Sequence, residues 1–271
     1  LVQGQAFKIN PLTGAVEATI DLAPTGCIGG GLWGSPSVDS AGHIFFATGT
    51  EYQDCSGTAE GVPGVGLETS LVEVDANLNL VGYWHLPEAQ QISDSDFASV
   101  PTIFNDSAAP GSGQLVAVAN KDGIVYAFDR QNLSGGPIWK TTIAVGGSDP
   151  SIDGSISPMA YDGTRLYAAG ANTTINGQSC GSSLSALNPA TGAVEWADCY
   201  AKPPLIGAST GANGVVVVCA GNSVYEENAA TGSQLFSYLL PGGGNCWGGA
   251  SIANGSIFAA DGGGYVVQLT P

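Results

Sequence analysis

Short apolar runs separated by Gly-, Asn- and Asp-rich turns recur along the whole chain. The clearest example is Ser183-Leu-Ser-Ala-Leu187, the turn Asn188-Pro-Ala-Thr-Gly192, and then Ala193-Val-Glu-Trp196. Apolar and polar positions alternate in the flanking runs, which is the period of a strand rather than of a helix. In the turn, Asn can bond the backbone that follows it and Gly admits a positive φ. The same phrase returns as Asn10-Pro-Leu-Thr-Gly-Ala-Val-Glu-Ala18 and as Asn228-Ala-Ala-Thr-Gly-Ser-Gln-Leu-Phe236. Looser copies run from Asp75 to Trp84 and from Asp129 to Trp139. Copies spaced roughly 40 to 65 residues apart are the mark of a repeat architecture.

Each repeat reads as four short strands, A to D. The spacing predicts strands near 35–39, 43–48, 70–75 and 80–86 for a first repeat, and 99–104, 114–119, 123–129 and 137–144 for a second. A third has 157–161, 165–169, 183–187 and 193–196, with a loop between its second and third strands; a fourth has 206–211, 214–219, 222–228 and 233–240. A fifth runs through 248–252, 256–260 and 265–269 without a strand D, and the chain opens on a C-like strand, 5–9, and a D-like strand, 15–20. Radially repeated four-stranded antiparallel blades make an all-β propeller. The whole chain, 1–271, is expected to be one such domain with an incomplete N-terminal blade. Two closures are open: the first D strand completes the last blade to give a five-bladed ring, or the visible blades belong to a larger ring with more chain before Leu1. A second repeat lies inside the first, since Gly29-Gly-Gly-Leu-Trp33-Gly-Ser-Pro-Ser-Val38 resembles Gly242-Gly-Gly-Asn-Cys-Trp247-Gly-Gly-Ala-Ser-Ile252.

Composition narrows the function. Six Lys and Arg against 23 Asp and Glu leave no basic patch, which argues against nucleic acid as a partner and against anionic lipid. No apolar run reaches transmembrane length and no signal peptide is visible. Cys27, Cys55, Cys180, Cys199, Cys219 and Cys246 are even in number and contain no CxxC pair. Sequons at Asn105, Asn132, Asn172 and Asn254 add to an expectation of a secreted, extracellular or periplasmic protein with glycosylation at those sites. Two histidines offer few triads and the glycine runs are not followed by Lys-Ser/Thr, so neither a serine nucleophile nor a phosphate loop is supported.

The turn Asn/Asp-x-x-Thr-Gly-x-x-x-Trp resembles the tryptophan-docking motif of the propellers related to pyrroloquinoline-quinone (PQQ) enzymes. That resemblance covers nearly the whole chain and implies that Trp84, Trp139, Trp196 and Phe236 pack between blades, while Ala18 departs from the pattern. Gly31-Leu-Trp-Gly-Ser-Pro-Ser-Val-Asp39 with Phe45-Phe-Ala-Thr-Gly49, Asn120-Lys-Asp-Gly-Ile-Val-Tyr-Ala-Phe-Asp-Arg130, and Asp94-Ser-Asp-Phe97 are similar to segments of PQQ-dependent dehydrogenases. By that likeness Lys121 would contact the quinone at the channel mouth, and Asp94 and Asp96 would be candidate calcium ligands. Two positions depart from it: Thr50 stands where an Asn is expected after Thr-Gly, and Gly64-Val-Gly-Leu-Glu-Thr69 offers Glu68 as its one carboxylate where an Asp is expected.

Propeller geometry puts the D-to-A and B-to-C loops on one face. The cysteines then fall into three pairs, Cys27 with Cys55, Cys180 with Cys199 and Cys219 with Cys246, one of 15 possible arrangements. Glu51, Asp54, Asp94, Asp96, Asp149 and Asp153 gather on that face near Trp33 and Trp247, a set able to hold a cation or a sugar. The expected function is a non-catalytic binding or assembly module with a protein or carbohydrate partner. The competing expectation is a quinone-dependent alcohol, polyvinyl-alcohol or sugar dehydrogenase using PQQ and calcium. A third is a self-assembling subunit of an extracellular filament or coat.

Overall fold

The computed structural model describes residues 3–50, 66–149, 151–203, 205–210 and 214–270. The described strands form six antiparallel sheets, each built from strands consecutive in sequence. β1 (Gln5–Ile9) and β2 (Val16–Asp21) make a hairpin. β3 (Ser37–Val38), β4 (Ile44–Ala47), β5 (Ser70–Val74) and β6 (Leu80–His85) make blade 1. Blade 2 comprises β7 (Thr102–Asn105), β8 (Gln114–Ala119), β9 (Ile124–Asp129) and β10 (Trp139–Thr142). Blade 3 comprises β11 (Ala160–Tyr161), β12 (Leu166–Ile175), β13 (Gln178–Leu187) and β14 (Val194–Tyr200). Blade 4 comprises β15 (Leu205–Thr210), β16 (Val215–Ala220), β17 (Ser223–Asn228) and β18 (Gln234–Leu239). Blade 5 has three strands, β19 (Ser251–Ala253), β20 (Ser256–Ala260) and β21 (Val266–Leu269). The architecture is the β-propeller that the repeats lead one to expect.

The inner strands serve two seams at once. On β8, Leu115, Ala117 and Ala119 pack toward blade 3, while Val116 and Val118 pack toward blade 1. On β16, Val216, Val218 and Ala220 face blade 3, and Val217 and Cys219 face blade 5. Burial on both faces is why these strands read as continuous apolar runs. Burial does not alternate along β9, whose four central residues are all buried, nor along β14, whose residues go from exposed to buried along the strand, so the C-and-D alternation expected from sequence is not seen in burial.

Indoles close the seams. Trp139 Nε1 donates to the Pro189 carbonyl at 2.9 Å, and its ring lies so close to Gly192 that a Cβ there would sit 2.4 Å away. Trp196 repeats this on blade 4, donating to the Ala229 carbonyl at 3.1 Å over Gly232. Trp84 lies against Gly136, just after the short 3-10 turn Leu133–Gly135, and tilts against Phe128. Phe236, at the seam with the three-stranded blade, remains 42% exposed. The turns match bond for bond: Asn188 Oδ1 accepts from the amides of Ala190 and Thr191, and Asn228 Oδ1 from those of Ala230 and Thr231. Gly192 and Gly232 take φ of 71° and 73°.

Two expectations change. The loop expected between the second and third strands of blade 3 is instead a continuation of the ladder, because Asn176 (φ 51°) and Gly177 (φ 82°) form a tight two-residue hairpin turn. The first hairpin does not complete blade 5. β2 pairs with β1, and Ala6 and Leu22 pack with Phe46, Val72 and Val74 of blade 1, while β20 is the ladder partner of β21. Among the described residues no helix is long and apolar enough to cross a membrane.

Gly14 and Gly192 occupy the same turn position with φ of 72° and 71°, yet nothing lies within 4 Å of a Cβ on Gly14. Gly14→Ala is therefore expected to cost about 1 kcal/mol from backbone strain alone. Gly192→Ala is expected to cost about 1–3 kcal/mol more, because the methyl meets Trp139. Urea unfolding of both variants checks this, and equal losses would remove the docking contact as the cause.

Candidate functional site

One end of the blades carries a closed polar cluster assembled from four connections. Trp33 comes from the segment before β3, Thr50 follows β4, Asp94 and Asp96 lie between β6 and β7, and Lys121 sits in the β8–β9 turn. Backbone bonds hold these segments together: Lys121 N donates to Asp96 O at 3.1 Å, and Phe97 N to Thr48 O at 3.1 Å. Asn120 Nδ2 adds a bond to Ser95 O at 2.7 Å. A Cβ on Gly49 would stand 2.8 Å from Asp96 Oδ1, so the Thr-Gly pair is needed for the carboxylate to approach the backbone.

Lys121 is 2% exposed. Its Nζ donates to Asp94 Oδ2 at 2.8 Å and to Asp96 Oδ2 at 2.5 Å, and lies 4.4 Å from the centre of the Trp33 ring. Burial alone would lower the lysine pKa, but the hydrogen bonds and charges of the two carboxylates outweigh it and raise it. Asp96 is held below its usual value: burial pushes it up, and the Lys121 bond, the Thr50 amide at 2.6 Å and the lysine charge overcome that. Asp94 is raised, by burial first and by the neighbouring Asp96, against the pull of Lys121. The cluster thus holds an ammonium, one firmly ionised carboxylate and one weaker acid. Two of its buried oxygens, Asp94 Oδ1 and Thr50 Oγ1, have no hydrogen-bond partner.

This geometry revises several expectations. Lys121 is buried rather than open at a channel mouth. Asp94 and Asp96 face its ammonium, and among the described residues no group of three Asp, Glu, His or Cys is placed to hold a metal ion. Asp149 instead caps its own turn through Ser151, and Asp153 accepts from Asn172. Glu51 and Asp54 lie outside the described residues.

The cysteines follow the expected pairing only in part. Cys180 and Cys199 form a disulfide with a Cα–Cα distance of 5.3 Å, which ties the extended β13 to β14. Cys27 lies in the D-to-A connection between β2 and β3, as expected, and is buried there against Ala23, with its amide donating to Pro24 O at 3.0 Å in a tight turn. Cys27 is disulfide-bonded, but Cys55, the partner expected for it, lies outside the described residues. The Cys27–Cys55 pairing therefore does not stand among the described bridges as Cys180–Cys199 does. Cys219 and Cys246, expected as a third bridge, are free thiols buried in one cluster. Of the sequon residues, Asn105, Asn132 and Asn254 are exposed, although Asn105 Oδ1 also accepts from Arg130 at 2.8 Å, and Asn172 Nδ2 is engaged by Asp153.

Two polar groups escaped the sequence reading. Between blades 1 and 2, His43, Glu73, Asp39 and Arg130 line a cavity of about 370 Å³, with His43 Nδ1 2.6 Å from Glu73 Oε1. Between blades 3 and 4, Trp196, Asp198 and Tyr200 alternate along β14 toward Tyr225 and Glu227 of β17. Tyr200 donates to Glu227 Oε1 at 2.9 Å, while Glu227 Oε2 and Asp198 Oδ2 are buried without partners. Burial pushes Asp198 up to about 6; burial, with the Asp198 charge adding to it, pushes Glu227 up to about 7 against the Tyr200 bond. Period-two placement of the acids on facing strands was the available signal, and it requires knowing which strands face each other.

A family model described as "Outer membrane protein assembly factor BamB" matches residues 121–271. No curated protein matches the sequence. Among solved structures, the quinohemoprotein alcohol dehydrogenase ADHIIG from Pseudomonas putida HK5 is similar with a TM-score of 0.71 at 14% identity, covering 95% of this chain and 52% of that one. A europium-containing methanol dehydrogenase gives 0.69 at 13% identity, covering 96% and 61%. BamB from Moraxella catarrhalis gives 0.50 at 14% identity, covering 99% and 77%. The chain spans about half the length of the alcohol dehydrogenase it matches. At these identities the likeness establishes the propeller fold.

Two measurements follow from this geometry. Opening the 19-residue span between Cys180 and Cys199 with a double Ser variant is expected to cost about 3 kcal/mol in urea unfolding. Glu227 is raised from 4.5 to about 7, so its neutral form stabilises the fold fully below about 4.5, and that contribution is lost as pH rises through about 7. Wild type is expected to lose up to about 3 kcal/mol relative to Glu227→Gln between about pH 4 and 8. Parallel pH profiles of the two thermal midpoints would contradict the assignment.

Proposed function

This chain belongs to the family of PQQ-like propellers described as outer membrane protein assembly factor BamB, and we propose that it is a secreted, non-catalytic module that binds or assembles through its loop face. The observation that carries this reading is the closed state of Lys121. The cation that the family likeness assigns to quinone oxygens already makes two carboxylate bonds and lies against Trp33, with almost no surface left for a ligand. A cofactor oxygen would have to replace a charge-assisted bond in a buried site, which is costly. The partner class is a protein or a carbohydrate meeting the loops around Trp33 and Trp247, both more than half exposed. The Cys180–Cys199 disulfide supports an extracellular or periplasmic setting.

The two orphaned oxygens favour a second reading, a quinone-dependent alcohol, polyvinyl-alcohol or sugar dehydrogenase. Asp94 Oδ1 and Thr50 Oγ1 lie in the same cluster as Asp96, and oxygen donors of this kind suit calcium. Under that reading Asp94, Asp96 and Thr50 would hold the ion, Lys121 would face the quinone, and PQQ would supply the electron acceptor. Calcium takes about six to eight oxygens, and here an ammonium already occupies both carboxylates of the cluster, so the first reading is preferred.

Titrating the chain with PQQ and calcium while following tryptophan fluorescence and dye-linked oxidation of an alcohol and sugar panel separates the two. Neither saturable quenching nor turnover is expected. Saturable quenching lost in Lys121→Ala, together with dye reduction, would establish the enzyme instead.

A further inference from the structure

Cys219 and Cys246 are used by neither reading. Cys219 lies on β16 opposite Val224, and Cys246 lies in the loop between β18 and β19. Backbone bonds bring them together: Leu240 N donates to Asn222 O at 2.9 Å, and Cys246 N to Gly221 O at 2.8 Å. The loop is thereby held at two points against the β16–β17 turn. Both thiols are fully buried in the same cluster, and each acts on the other's proton affinity. Val217, Val224, Leu240, Ala250, Ile257 and Ala259 form the apolar part of their surroundings, and Asp261 lies close enough to Cys246 to act on it.

The pair is not symmetric. Contact with Cys219 lowers the Cys246 thiol, against burial and the nearby Asp261 charge, whereas the same contact and burial raise Cys219. Position adds to this difference. Cys219 sits inside a central strand, while Cys246 is followed by the exposed residues Trp247, Gly248 and Gly249 and preceded by the glycine run 242–244. Local opening of that loop brings Cys246 to solvent first, since glycine-rich backbone with few apolar anchors opens at low cost.

We propose that Cys219 and Cys246 are a redox-active pair that closes to a disulfide and fastens the Trp247 loop to blade 4. The oxidant is a small or protein-borne disulfide, and the step is thiol–disulfide exchange. The Cys246 thiolate attacks one sulfur of the incoming disulfide and forms a mixed disulfide as the other sulfur leaves as a thiol. Cys219 then gives up its proton and attacks the Cys246 sulfur, releasing the second thiol. Two protein thiols are oxidised, one disulfide is reduced to two thiols, and the two protons remain with the products. Reduction by a dithiol runs the sequence backward and frees the loop.

The folded chain is incubated in oxidised glutathione, quenched with acid, alkylated under denaturing conditions and digested without reduction. A peptide joining Cys219 to Cys246, lighter by two hydrogens than the thiol forms, is expected alongside the retained Cys180–Cys199 link, and dithiothreitol should remove it. Cys219→Ser is expected to accumulate glutathione on Cys246, while Cys246→Ser should leave Cys219 far less modified. Complete alkylation of both wild-type thiols after oxidation of the native chain, and again after oxidative refolding, would overturn the proposal without reference to either variant. Preferential glutathionylation of Cys219 would overturn the assigned order of attack.

Discussion

The contact on which the fold depends is an indole lying on a glycine. In each of two successive seams a strand-D tryptophan crosses to the next blade, gives its N–H to a carbonyl in the Asn-x-x-Thr-Gly turn, and occupies the space where that glycine's Cβ would be. The hydrogen bond fixes direction and the missing Cβ fixes distance. Blade spacing then follows, because the inner strands β8 and β16 must fill a gap of set width on both sides. Small residues such as Ala117, Ala119 and Ala220 stand beside larger ones such as Leu115, Val216 and Val218 within those gaps. The same contact explains why the turn is repeated so faithfully: Asn shapes it, Gly accepts the ring, and neither role tolerates a bulky side chain.

Docking uses one end of the blades and leaves the other to chemistry. The C-to-D turns of blades 2, 3 and 4 receive tryptophans, whereas the D-to-A and B-to-C connections vary in length and carry the Lys121 cluster, the Cys180–Cys199 bridge and the dithiol. Lys121 shows how a loop site becomes rigid. Its ammonium is out of water and depends on Asp94 and Asp96, which in turn depend on it, because removing one member of a buried charge pair leaves the other uncompensated. The ion pairs and the backbone bonds from Lys121 N and Thr50 N therefore brace three connections into one body. Such bracing suits a surface that presents a fixed shape to a partner more than a site that must admit and release a cofactor.

What the sequence disclosed follows the range of the interactions involved. Turns such as 188–192 were legible because Asn and Gly act on their own backbone, and most strands fell within a residue or two of their expected bounds. The extension of blade 3 was not read, although Asn176-Gly177 is a local hairpin signal, because Thr173 and Thr174 before it and Ser179 after it look like loop residues. The burial of Lys121 was also missed. A lysine before Asp-Gly in a turn reads as exposed, and the carboxylates that draw it inward lie more than 20 residues away. The Asp198–Glu227 pair was hidden for a related reason: on either strand the acid occupies an ordinary alternating position, and the two meet because blades 3 and 4 face each other. The first hairpin shows the limit of counting strands, since its D-like strand matched the gap in blade 5 in number yet packs on blade 1.

The scarcity of cations, visible in composition, reaches into the seams. Six Lys and Arg cannot partner 23 Asp and Glu, and two of the six are deeply buried, Lys121 with Asp94 and Asp96 and Arg130 with Asp39, while Lys8, Lys140, Arg165 and Lys202 lie nearer the surface. Elsewhere phenol hydroxyls take the role of donor. Tyr126 bonds Asp122, Tyr167 bonds Asp162 and Tyr200 bonds Glu227, and in every case the carboxylate and burial together hold the tyrosine pKa above its usual value. A neutral donor gives a carboxylate geometry but no opposite charge. Asp162 stays ionised because backbone amides at Thr164 and Arg165 also serve it. Glu227 has no such amides, faces Asp198, and retains its proton to higher pH. The seam between blades 3 and 4 is thus where an acidic composition becomes a titratable element inside the fold.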